Sequence, residues 1–168
     1  MCVRKLLTQF ASLALLSTPA IAADVLETAS FAMTLPVGWV KNLQSKPVSA
    51  RGPNGELLQV SSAKLQGSGA TAEAQRIRAE MEQNVLRSIE HAANDPQLKT
   101  VTPLRKTQTP SGATVHELIS QANDRTWFAQ FGAIGPSTVL LVTLEAPATS
   151  QASIAAVRQA VSSIKWSQ

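Results

Sequence analysis

The chain reads as an α+β protein in which helices cover an antiparallel sheet, and three observations predict this. Apolar residues alternate along runs in both halves, and tight-turn signals such as Gly52-Pro53-Asn54-Gly55 and Thr109-Pro110-Ser111-Gly112 join those runs. Two other stretches, Ala74–Ala92 and Ile154–Ile164, carry apolar residues every three or four positions, the period of a helix with one buried side. Strands linked by tight turns pair antiparallel, whereas parallel neighbours need a long crossover.

Asp24 to Thr28 is a lead-in. From Ser30 to Leu35 the chain alternates, with Phe31, Met33 and Leu35 on one face, and Pro36 ends the strand because it cannot donate to a ladder. Val37-Gly38 turns, and Trp39 to Leu43 resumes extended chain, with Trp39 expected as a plug over one end of the core. Val48–Arg51 and Leu57–Leu65 then flank Asn54-Gly55, a pair that supplies the positive φ angles of a tight hairpin. After the loop Gln66-Gly67-Ser68-Gly69, Thr71 is the expected N-cap of a long helix, and Glu73 suits the positive end of its dipole. Its buried stripe is Ala74, Ile77, Met81, Val85, Ile89 and Ala92, and Asn94-Asp95-Pro96 stops it.

The second half predicts a meander. Thr100–Thr107 pairs with Ala113–Gln121, and Ala122-Asn123-Asp124 turns into Arg125–Ile134, where Trp127, Ala129 and Phe131 share a face. Gly135-Pro136 leads into Thr138–Leu144, the densest apolar run and therefore the expected central strand. A last helix begins near Thr149 or Ser150 and turns Ile154, Val157, Val161 and Ile164 to one side.

The first 22 residues have a different design. Arg4-Lys5, the apolar run from Leu6 to Leu16 and Ala20-x-Ala22 form a secretory signal peptide, with cleavage expected after Ala22. Residues 23–168 are expected to be one domain in the periplasm, with no transmembrane segment in the mature chain. The only cysteine, Cys2, lies in that leader, so the mature chain has no thiol for a disulfide, a nucleophile or a metal. Two of the 15 basic residues also lie there, so the pI of 9.6 overstates the basicity of the mature domain. Lys99, Arg105 and Lys106 form the one basic cluster, which reads first as a solvated strand edge and second as a polyanion site.

The element Leu35-Pro36-Val37-Gly38-Trp39, followed by a hairpin, a helix, a strand meander and a C-terminal helix ending at Ser162-Ser163-Ile164-Lys165-Trp166, resembles the Mog1/PsbP-like superfamily. The resemblance implies an α/β/α arrangement around an antiparallel sheet. It also implies binding to other macromolecules rather than catalysis, with exported envelope proteins as the nearest company.

The residues themselves point away from chemistry. Only His91 and His116 could serve as an imidazole base, and no serine sits in a Gly-x-Ser-x-Gly elbow. His91 suits the negative end of the long helix. His116 and Glu117 are adjacent on a strand and so point to opposite faces, and His116 is expected at the surface. Two separated histidines make no zinc pattern, and Glu80 and Glu82 diverge by about 200° on their helix. The glycines form no phosphate loop. No cofactor or metal is therefore expected, and no nucleic acid, because aromatic residues are few and tyrosine is absent.

The expected role is a periplasmic, non-catalytic protein that binds another envelope or secreted protein. The expected contact residues are Trp127, Phe128, Lys99, Arg105 and Lys106. Trp127 and Phe128 qualify because adjacent strand positions face opposite layers, so one of them is exposed if a helix covers only one face. Two alternatives stand beside this reading. One is an immunity protein against a secreted toxin, and the other is a carrier with an apolar cavity built from residues such as Met81, Leu86 and Phe128.

Overall fold

A computed structural model describes residues 23–64 and 71–167. The signal peptide expected over residues 1–22 and the Gln66–Gly69 loop lie outside the described residues. Two antiparallel sheets are present where one was expected. The larger has seven strands in the order β3-β4-β5-β9-β8-β7-β6 and the smaller three in the order β1-β2-β10.

The small sheet is built from β1 (Val25–Glu27), β2 (Phe31–Thr34) and β10 (Lys165–Trp166). The expected lead-in is thus a strand, paired through Leu26 and Met33, and the C-terminal Lys165-Trp166 closes the other side of β2. Phe31, Met33 and Leu35 face inward as the alternation predicts, each no more than 1% exposed. After the turn, β3 (Val40–Asn42) enters the large sheet, and Trp39 at the junction is buried in the same core. A Cβ on Gly52 would lie 2.9 Å from the Trp39 ring, so only glycine lets the next loop close over the indole.

β4 (Val48–Arg51) and β5 (Leu57–Lys64) form the expected hairpin, but by a different turn. The Gly52 N–H donates to Glu56 (3.0 Å) and the Gly55 N–H to Gly52 (3.4 Å), with Gly55 at φ +91°. Asn54 does not adopt positive φ, which corrects the two-residue turn expected from Asn-Gly. Pro53 starts the turn and Gly55 alone occupies the left-handed position of a three-residue loop. The loop from Thr109 to Ala113 repeats the pattern with Gly112 at φ +80°, and the loop from Ala122 to Thr126 repeats it with Arg125 at φ +69°.

Helix α1 (Ala72–Ala93) carries the chain from β5 to the far edge of the sheet, where β6 (Leu98–Gln108) begins. At about 33 Å it is long enough to cross the intervening strands. Thr71 caps it, accepting the Ala74 N–H at 3.2 Å. Of the predicted stripe, Ile89 and Ala92 are buried, whereas Ala74, Ile77, Met81 and Val85 are half-buried. Val85 and Ile89 rest directly on Gly132, where any side chain would collide with Val85.

The meander continues through β7 (Thr114–Ala122), β8 (Trp127–Ile134) and β9 (Thr138–Ala146), and β9 is the central strand as its apolar run predicts. Alternation sorts the sheet's side chains. Leu118, Phe128 and Leu141 pack with Ile89 and Ala92 of α1. Ala129, Phe131, Val142 and Leu144 pack with the small sheet and with Ile154, Val157 and Val161 of α2 (Ala152–Ser162). No described helix is long and apolar enough to cross a membrane.

Candidate functional site

Two neighbouring rungs of the β6–β7 ladder, Arg105 opposite Glu117 and Lys106 opposite His116, hold the densest charge in the described structure. Adjacent strand residues point to opposite faces, so each rung addresses a different helix. Glu117 is 2% exposed and accepts from Arg105 (2.6 Å) and from Arg158 of α2 (2.5 Å). Burial pushes its carboxyl group up, but the Arg158 and Arg105 hydrogen bonds outweigh burial and hold it below its usual range. On the other face, Glu82 of α1 meets His116 Nε2 at 3.0 Å and Lys106 Nζ at 3.6 Å.

This corrects the surface position expected for His116, which is 6% exposed. Glu82 reaches down from α1 and covers it. The predicted divergence of His116 and Glu117 holds, and through it one pair of residues ties both helices to the sheet.

A second buried carboxylate, Glu56, lies under the β4–β5 turn beside Trp39 and Gly52. It accepts from the Asn54 N–H (2.8 Å), from Asn54 Nδ2 (3.2 Å) and from the Ser153 hydroxyl in the first turn of α2 (2.7 Å). Burial raises its pKa, yet the Ser153 and Asn54 hydrogen bonds win and bring it down to about 2. Gln151 gives α2 no side-chain cap, so the buried anion also serves the positive end of that helix. Both buried carboxylates are thus held ionised and fully engaged in joining elements. Among the described residues, no three His, Asp or Glu side chains converge to hold a metal.

The five residues expected at a contact fall into separate places. Trp127 is 8% exposed, lies in the α2-side core and donates its indole N–H to the Ala148 carbonyl at 3.2 Å. Phe128 is half-buried on the α1 side. Lys99, Arg105 and Lys106 all lie on the edge strand β6, but Arg105 turns toward α2 and Lys106 toward α1, with Lys99 at the strand's other end.

Met81 lines a cleft of about 320 Å³ between α1 and the sheet with Val85, Val139 and Leu141, while Leu86 and Phe128 stand outside it. Sequence reasoning missed Arg158, Glu56 and Glu82. The available signal was the charge of Arg158 and Glu82 on the margins of otherwise apolar helix stripes, next to Val157 and Met81.

One part of the sheet stands open. α1 packs over β6, β7, β8 and β9, and beyond it the same face continues onto β5, β4 and β3. There Val40 is 71% exposed, and a groove of about 370 Å³ runs along Val40, Asn42, Arg51, Leu57 and Gln59 beside Lys46.

The order of elements, the long crossover helix and the seven-stranded antiparallel sheet define a PsbP-like fold. Among solved structures, the solution structure of cyanobacterial PsbP (CyanoP) from Synechocystis sp. PCC 6803 superposes with a TM-score of 0.54 at 13% identity, covering 93% of this chain and 99% of that one. A crystal structure from Bacteroides thetaiotaomicron VPI-5482 aligns at TM-score 0.42 and 9% identity, over 82% of this chain and 45% of that one. No protein-family profile and no curated protein sequence matches the chain.

Proposed function

We propose that the protein is an exported, non-catalytic interaction protein that works in the periplasm by binding another envelope or secreted protein. The layers are read as α/β/α, with α1 on one face of the large sheet and α2 with the small sheet on the other. The observation that carries the reading is the end of that sheet beyond the strands α1 packs on, where Val40 faces solvent. The leader read from residues 1–22 supports the compartment. An immunity protein for a secreted toxin is one member of this class, and a toxin gene beside this one would single it out.

Expression of the full precursor tests compartment and role together. The mature protein recovered from the periplasm should begin at Ala23, and affinity capture from periplasmic extract after cross-linking should retain a partner. Intact precursor in the cytosol overturns the compartment, and a monomer without a retained partner under several conditions overturns the role.

A second reading, a carrier of a small apolar ligand, is favoured by the cleft that Met81, Val85, Val139 and Leu141 line. Native mass spectrometry of freshly purified protein would show added mass, and a clean apo mass sinks this reading.

A further inference from the structure

We propose that the open face of β3–β4–β5 docks an extended, acidic segment of a partner protein, which adds as a strand to the free edge of β3. The proposal rests on the interaction role above and assigns that role a place and a chemistry.

The two edges of the large sheet are built differently. β6 is long, but Pro103, register shifts between Thr100 and Arg105, and three basic side chains interrupt it. Those are the devices that keep an edge from pairing. β3 is short, at three residues, but among the described residues it pairs with β4 alone, contains no proline, and leaves Val40 exposed. Along that face Val40, Arg51 and Leu57 form one cross-strand row, and Asn42, Ser49 and Gln59 form the next. A peptide strand laid beside β3 would extend both rows and set its own alternate side chains against them.

Charge selects the occupant. Every charged side chain lining the groove is a cation. Lys41 is engaged by Asp24 at 2.8 Å. Lys46 and Arg51 are exposed and form no ion pair among the described residues. The nearest carboxylate along the Val40 row is Glu145, which lies beyond Leu57 on β9. Because strand side chains alternate between faces, the carboxylates of the incoming strand would all lie on the Val40 side, within reach of Lys46 and Arg51, and its apolar residues would turn to the other face. A second copy of the chain fits less well, because both sheet edges are basic and like charges would face each other.

The test uses the mature protein and a synthetic peptide of about eight residues that alternates glutamate with valine. A lysine–valine peptide is the control. Fluorescence anisotropy should show the acidic peptide binding and the basic one not. The exposed double substitution Lys46→Glu/Arg51→Glu should weaken binding by about tenfold or more while leaving the thermal melt in place. Raising salt should weaken binding as well, and amide NMR shifts should cluster in β3, β4 and β5.

No binding at about 1 mM, equal binding of the lysine peptide, unaltered affinity of the double variant, or shifts confined to β6 each overturn the proposal. Displacement of the peptide from this face by a short single-stranded DNA overturns it too. A partner captured from periplasm that still binds the double variant removes this site and leaves the general role standing.

Discussion

Arg125 occupies the left-handed turn position that Gly55 and Gly112 fill in the two sister loops. A side chain there costs about 1–2 kcal/mol relative to glycine. Arg125→Gly should therefore raise unfolding free energy by about 0.5–1 kcal/mol, net of the entropy glycine adds to the unfolded chain, as read by urea denaturation. Glu56 sets a pH dependence. Its folded pKa of about 2 lies below the ordinary glutamate value of 4.5, so its stabilisation is present above pH 4.5 and is lost as pH falls toward 2. Comparison of wild type with Glu56→Gln from pH 6 to pH 2 should show a stability gap of up to about 3 kcal/mol that closes across that window. A gap independent of pH would contradict the account.

At the scale of elements, Gly132 beneath Val85 and Ile89 and Glu82 over His116 are two of the contacts that hold α1 to the sheet. Gly132→Ala forces the helix off the sheet and should cost about 1–3 kcal/mol. Amide exchange should locate the loss, with α1 deprotected well before β9. The stripe of α1 was legible in sequence, but the depth to which each position sinks was not. That depth depends on a glycine 43 to 47 residues away in the chain, where Val85 and Ile89 land. The strand meander was legible element by element, because each hairpin carries its own turn residues. The two short outer strands of the small sheet were not. Each is defined only by pairing with β2, and β10 comes from the opposite end of the chain.

For the molecule as a whole, Glu117 is the point where β6, β7 and α2 meet. Replacing it with glutamine removes the anion that neutralises two guanidinium groups. Arg105 and Arg158 remain 44% and 40% exposed and regain water, which moderates the cost. Glu117→Gln should lower unfolding free energy by about 2–4 kcal/mol near neutral pH, with a smaller loss in strong acid, where the wild-type carboxylate is itself protonated. Circular dichroism in urea, an uncharged denaturant, followed from pH 7 downward checks that the loss narrows as the wild-type carboxylate takes up its proton. The contact residues read from sequence came from an exposure argument at Trp127 and Phe128 and from the basic cluster of Lys99, Arg105 and Lys106, and the fold places them on two faces and one edge. The open groove went unread because Val40, Arg51 and Leu57 are neighbours only across strands.

What the sequence determined by itself is local in origin: the period of each strand and helix, the turn residues between them, the Thr71 cap, the centrality of β9 and the inward face of Phe31, Met33 and Leu35. Each follows from side chains within a few positions of one another. Only the tertiary structure decided that β1, β2 and β10 form a separate sheet, that His116 is buried, that Glu117 and Glu56 are held ionised, and that Val40 on β3 faces solvent. These depend on where distant segments stop in space. Burial, ion pairing and exposure are properties of neighbours, and the chain order does not list its neighbours.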